Sequence, residues 1–167
     1  MSIPCIFEEA IESLKDLPRS QYHDIISNKE QEIVSKVESR GYKKLGSGTS
    51  RIVFSLNPNE VVKIPRPSSE NYNGKLDNKT EYKQYNRANT EQKKLLAPVH
   101  KVGSKYQWLV MEKSPQIRGH ESEISDAFFD QCEMADIDLL GDMVGWNVGY
   151  IPSNNQDCLI DYGHKVI

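Results

Sequence analysis

The sequence predicts an α+β fold: a mostly antiparallel sheet with one inserted helix, preceded by a helical extension and followed by a short helical half. Three observations predict it. Apolar residues recur at helical spacing through residues 1–40. From Tyr42 onward they give way to short apolar runs separated by turn residues, the pattern of strands and hairpins. One long helical stretch, 78–96, then lies between two groups of such runs.

Taken in order, Phe7, Ala10, Ile11 and Leu14 share one helical face, and the Leu17–Ser20 segment breaks the pattern. A second helix over 29–41 carries Ile33, Val34 and Val37, and Gly41 is suited to end it. The runs RIVFSL (51–56) and EVVKIP (60–65) flank Asn57-Pro58-Asn59, which reads as two antiparallel strands and a tight hairpin. SSENYNG (68–74) is a polar loop. The stretch 78–96 follows as a helix, with Asn78 or Thr80 near its start. Residues 97–113 form a second strand pair turning at Gly103-Ser104. In 121–134, Ile124, Ala127, Phe128 and Phe129 are placed on one helical face. VGYI (148–151) and CLID (158–161), joined by PSNNQD, complete the chain as a last strand pair. This divides the sequence into a helical extension (1–41), a sheet-rich part (42–113) and a C-terminal part (114–167). The last two meet near Ser114–Gly119, where Pro and Gly interrupt the periodicity.

Composition excludes several classes. A hydrophobic fraction of 37% and a mean hydropathy of −0.64 describe a soluble chain of 167 residues with a modest core. No apolar run approaches the ~20 residues of a membrane span. The N-terminus lacks the basic and apolar segments of a secretory signal, so a cytoplasmic protein with no membrane partner is expected. Three scattered cysteines with no Cys-x-x-Cys argue against a disulfide framework or a zinc site. A net charge of −3 argues against a general nucleic-acid binder. The histidines show no metal-ligand spacing, and Trp108 and Trp146 read as core or cleft-wall aromatics.

The residues that carry chemistry fall in two groups. LGSGTSRIVF (45–54) places Gly46 and Gly48 between two strands, where glycines let backbone N–H groups approach phosphate oxygens. Lys63, flanked by Val61 and Val62, can point by strand alternation to the face beneath that turn. Glu81 is its candidate partner, with Glu91 competing. In the second group, GDMVGWN supplies Asp142 and Asn147, and LIDYG supplies Asp161. Two carboxylates and an amide oxygen beside short strands are hard oxygen donors suited to Mg²⁺. One carboxylate can be left over to take a proton from an attacking hydroxyl.

The ordered set Gly-x-Gly, Val-Val-Lys, Glu, Met-Glu, Asp-x₄-Asn and Asp-Tyr-Gly over residues 42–163 resembles the protein-kinase-like superfamily. It looks most like the short, truncated kinase-like proteins of phages and other microbes. The resemblance implies a kinase-like N-lobe over 42–113 and a strongly reduced helical C-lobe over 114–167. It implies that ATP and Mg²⁺ are the cofactors, with Gly46 and Gly48 covering the phosphates. Lys63 would bind the first phosphates and Glu81 would hold it. Met111, Glu112 and Lys113 would form the adenine hinge, with Trp108 and Val110 behind. Asp142 would be the catalytic base, and Asn147 and Asp161 the metal ligands.

The sequence departs from that pattern at four places. Arg51 replaces the third glycine of the loop, and Leu140-Gly141 stand where protein kinases have His-Arg. Val144 stands where serine/threonine kinases have a lysine, and only HKVI follows Asp-Tyr-Gly. Gly141-Asp142 is closer to the Gly-Asp of aminoglycoside and choline kinases, which phosphorylate small molecules. Two functions are therefore expected in competition. One is a minimal phosphotransferase passing the γ-phosphoryl group of Mg-ATP to a hydroxyl acceptor, protein or small molecule. The other is a catalytically inactive kinase-like protein that binds a protein partner, for example as an inhibitor of a host system if virus-encoded. The helices before residue 41 would be that partner's surface, or would pack on the sheet and replace lost core.

Overall fold

The structure is a computed structural model that describes residues 3–15, 17, 28–66, 73–139 and 147–162. It has the expected class: α+β, with antiparallel sheet and several helices. Two helices open the chain, α1 (Cys5–Lys15) and α2 (Asn28–Glu38). Gly41 follows with φ +90°, a left-handed conformation that glycine adopts without penalty and that ends the helical run. Five strands then build the main sheet: β1 (Lys44–Ser47), β2 (Arg51–Ser55), β3 (Glu60–Pro65), β4 (Val99–Val102) and β5 (Leu109–Glu112). Their order is β1-β2-β3-β5-β4, every neighbouring pair antiparallel.

Strand alternation gives this sheet two faces. Ile52, Phe54, Val62, Ile64 and Val110 pack against Phe7, Ala10, Ile11 and Leu14 of α1 and Val34 and Val37 of α2. The Phe7 and Phe54 rings meet edge-on at 5.6 Å, an arrangement worth about 0.5–1.5 kcal/mol beyond the area they bury. The apolar stripes of α1 and α2 are thus spent on the sheet. Val61, Leu109 and Met111 face the other way, into a second core with Phe128, Cys132, Val148, Ile151 and Leu159.

Between β3 and β4 the expected single helix is two. α3 (Gly74–Arg87) starts earlier than the sequence predicts, capped by the Asn73 side chain, which accepts from the Lys75 and Leu76 amides. Gly74 is needed there, because a Cβ would collide with the Ser50 carbonyl and the Pro65 backbone. At Ala88 the backbone turns extended, and α4 (Thr90–Lys94) begins anew with a reciprocal capping box between Asn89 and Gln92. Apolar periodicity runs through this break without registering it.

After β5 come β6 (Gln116–Ile117), α5 (Asp126–Met134), β7 (Val148–Ile151) and β8 (Gln156–Leu159). β6, β7 and β8 form a small antiparallel sheet in that order. β6 lies in the Ser114–Gly119 junction and is too short for sequence alternation to reveal. On α5 the buried residues are Phe128 and Cys132, whereas Ala127 is exposed and Ile124 precedes the helix. β8 ends at Leu159, so Asp161 stands beyond the strand rather than on it. Reciprocal bonds from Leu159 N to Leu95 O and from Ala97 N to Leu159 O tie this small sheet to the segment after α4. The three cysteines are free. Among the described residues, no helix is long and apolar enough to cross a membrane.

Candidate functional site

The main sheet and the β6-β7-β8 sheet enclose a cleft of about 550 Å³. Gly46 and Gly48 lie on one wall, Met111, Glu112 and Lys113 on another, and Lys63, Asn147 and Asp161 on a third. The structure therefore gathers every predicted binding residue but two around one space. Glu81 sits directly behind Lys63, and Asp142 lies outside the described residues. Trp146 and the sequence from Gly163 onward are outside them as well.

Register explains the position of Lys63. Val53 of β2 pairs with Lys63 of β3, which in turn pairs with Leu109 of β5, so the lysine projects from the face opposite α1 and α2. There it is only 3% exposed. Its Nζ donates to Glu81 Oε1 at 2.8 Å and to the Ile160 carbonyl at 2.8 Å, and stands 3.9 Å from Asp161 Oδ1. Glu81 reaches it from α3, whose buried side is a polar stripe of Asn78, Glu81 and Gln84. The competing Glu91 is on the surface, paired with Lys94. Buried charges are tolerated only when paired and hydrogen-bonded, and Glu81, fully buried, accepts three such bonds in all. Besides Lys63, Arg51 Nη1 donates to its Oε2 at 2.7 Å and the Tyr162 amide donates to its Oε1 at 2.9 Å.

Asp161 is held from the same side. Its Oδ1 accepts a bond from Arg51 Nη2, and Arg51 Nη1 also reaches Asn78 Oδ1 at 3.3 Å. Burial by itself would lower the Arg51 pKa, but the carboxylates of Asp161, Glu81 and Asp77 reverse that and hold the guanidinium charged above its ordinary value. Tyr162 is anchored behind Asp161: its hydroxyl donates to the Ala97 carbonyl at 2.7 Å and its carbonyl accepts from Gln84 Nε2 at 2.6 Å. Burial, together with the Glu81 charge, pushes the phenol well above its usual range, so it stays a neutral donor.

The glycine turn is fixed at its base and open at its tip. Gly48 N donates to Arg51 O at 2.9 Å, closing a tight turn between β1 and β2. Arg66 Nη1 donates to the Gly48 carbonyl at 2.6 Å, and Arg66 is itself clamped by Glu30 of α2, Nε to Oε1 at 2.8 Å. Ser50 Oγ bonds Asp77 of α3. Yet a Cβ on Gly46 or Gly48 would meet no described atom within 4 Å, and neither has a positive φ. Nothing in the described fold requires glycine at these two positions. What glycine leaves there is a cleft wall without side chains, with the Gly48 N–H and carbonyl already bonded to Arg51 and Arg66.

Not all hinge expectations fit equally. Met111 is buried, and Trp108 and Val110 stand on the far side of the sheet in the core beneath α1 and α2. The Glu112 amide donates to Pro98 O and the Lys113 amide to Asn59 O, both at 2.8 Å, so neither is available to a base. The Glu112 carboxylate accepts from Ser153 N and Oγ in the turn between β7 and β8. For a metal, the described residues contain no group of three or more His, Cys, Asp or Glu side chains. The cleft lining carries two carboxylate residues, Asp161 and the Ser153-bonded Glu112, and one amide residue, Asn147. Asp161 and Asn147 are hard oxygen donors that fit Mg²⁺ in kind.

Three features of the site escaped sequence reasoning: the bridging role of Arg51, the Glu30–Arg66–Gly48 clamp, and the anchoring of Tyr162. Only the first left a local signal. Arg51 and Val53 alternate onto the face that Lys63 shares. Compared with protein-family models and with curated proteins, the sequence matches none.

Proposed function

We propose that the protein is kinase-like and that its cleft binds ATP with Mg²⁺, passing the γ-phosphoryl group to a hydroxyl acceptor. The observation that carries this reading is the buried Lys63–Glu81 pair, beneath the bare backbone of Gly46 and Gly48 and 3.9 Å from Asp161. Lys63 and Lys113, placed around one space beside a turn without side chains at Gly46 and Gly48, suit a polyphosphate. The sheet order, with a helix between β3 and β4 supplying the glutamate, supports the same reading.

In this reading Lys63 contacts the phosphates and Glu81 fixes the lysine so that its charge is directed into the cleft. Asn147 and Asp161 hold Mg²⁺, which when bound neutralises phosphate charge. In the transfer, the acceptor oxygen bonds to the γ-phosphorus, the bond to the β–γ bridging oxygen breaks, ADP leaves, and the hydroxyl proton goes to Asp142.

The test is calorimetric titration of ATP with Mg²⁺ into wild type, Lys63→Met and Asp161→Ala. Micromolar binding by wild type, weakened at least tenfold in Lys63→Met, is the expected result; no heat at millimolar ATP in wild type sinks the reading. One observation favours a second reading, binding without transfer: Asp161 Oδ1 is already bonded to Arg51. Release of ADP by wild type in excess of inorganic phosphate, absent in Asp142→Asn, would decide for transfer.

A further inference from the structure

Arg51 stands where the resembling families carry the third glycine of their phosphate loop, and its side chain fills a place that glycine would leave empty. It is 5% exposed. Its guanidinium bridges two carboxylates from distant parts of the chain, Glu81 on α3 and Asp161 after β8. The remaining groups near it are Asn78, which accepts from Nη1, and Asp77, whose charge adds to the field holding Arg51 ionised. Lys63 shares the same two carboxylates. The bonded core of the set is therefore two cations, Arg51 and Lys63, against two anions, Glu81 and Asp161, with Asp77 adding a third negative charge nearby. A planar fork that contacts two carboxylates at once is a geometry arginine supplies and lysine does not.

We propose that Arg51 is a built-in counter-cation of the cleft: it neutralises and positions Asp161, so that a nucleoside triphosphate is held with little dependence on a divalent metal. This rests on the nucleotide reading above and deepens it. Without Arg51 the set would carry Lys63 against Glu81 and Asp161, a net negative charge confronting an anionic ligand. A metal ion would then be needed before phosphate could approach Asp161. With Arg51 in place that charge is met from within the chain. Arg51 does not line the cleft and acts through Asp161; it is a positioning residue. Mg²⁺ retains its part in transfer, while holding the nucleotide falls to the chain's own cations.

The experiment is calorimetric titration of ATP into the full chain, in EDTA and again in millimolar Mg²⁺, for wild type, Arg51→Met and Arg51→Lys. For wild type the two affinities are expected to differ by less than about tenfold. For Arg51→Met, where Asp161 has lost the Arg51 bond, they differ by more than about tenfold, and Arg51→Lys falls between. Wild-type binding that weakens tenfold or more in EDTA overturns the inference and leaves the nucleotide reading standing. Wild type that binds ATP in neither condition overturns both. If Arg51→Met does not fold, the wild-type comparison decides alone, and Arg51→Lys serves as the variant.

Discussion

On the side of the main sheet covered by α1 and α2, the strands present Ile52, Phe54, Val62, Ile64 and Val110; toward the cleft the same strands present Arg51, Val53, Val61, Lys63 and Met111. Both sides are buried, but by different means. The first is sealed by apolar contact, which stabilises in proportion to area removed from water. The second keeps Arg51 and Lys63 at 5% and 3% exposure, satisfied by carboxylates, an amide oxygen and a backbone carbonyl that other elements bring to them. A buried ionic set of this kind contributes little net stability compared with apolar residues of the same volume. A sheet selected for stability alone would not need it. The difference separates the side that holds the fold from the side that holds the chemistry.

The comparison breaks first if the apolar side is not the main source of stability. Phe54→Ala removes a fully buried ring and is expected to cost about 3–5 kcal/mol by urea denaturation. A loss under about 1 kcal/mol would contradict it. Next, Glu81→Met removes the buried carboxylate that two buried cations share and is expected to cost about 3 kcal/mol. The double variant Lys63→Met with Glu81→Met should be more stable than Glu81→Met alone, because one of the two cations deprived of that carboxylate has gone. Additive losses would mean that the pair does not behave as a unit. Third, Glu30→Gln loosens Arg66 and with it the Gly48 carbonyl, at about 1–3 kcal/mol. It should also weaken ATP binding, since α2 would no longer steady the turn. Unchanged affinity with reduced stability would confine that clamp to the fold.

How much was legible follows the same division. The apolar side announces itself, because Phe7, Ala10, Ile11 and Leu14 repeat at helical spacing and Ile52/Phe54 and Val62/Ile64 alternate. The cleft side is harder, because its cues are polar. α3 turns Asn78, Glu81 and Gln84 inward, a stripe invisible to a search for apolar periodicity, and this left Glu81 and Glu91 indistinguishable in sequence. The break at Asn89 is fixed by a capping box whose residues also suit a helix interior. Arg66–Glu30 and Arg51–Asp161 join residues far apart in the chain; strand alternation gives the face of Arg51, but no local pattern gives the partner of either arginine.

The smallest effect comes from a Glu–His hydrogen bond at the rim, where neither side's rule applies. Glu60 Oε1 and His100 Nδ1 are 2.7 Å apart, with the side chains 19% and 34% exposed. The bond to His100, aided by Asn57 Nδ2 at 2.6 Å, draws the Glu60 carboxyl below its ordinary 4.5 against the opposing effect of burial. A carboxylate depressed in the folded state contributes stability above its unfolded pKa, and that contribution disappears as pH falls through the lower folded value. The window therefore lies below 4.5. Being partly exposed, the pair is worth about 0.5 kcal/mol. Urea midpoints of wild type and Glu60→Gln, compared at about pH 7 and at successively lower pH below 4.5, should differ at the first and converge as pH falls through the folded value. If they remain apart at low pH, the contribution of Glu60 is not its charge but its packing between β3 and β4. The rim would then belong with the apolar side of the sheet rather than with the ionic one.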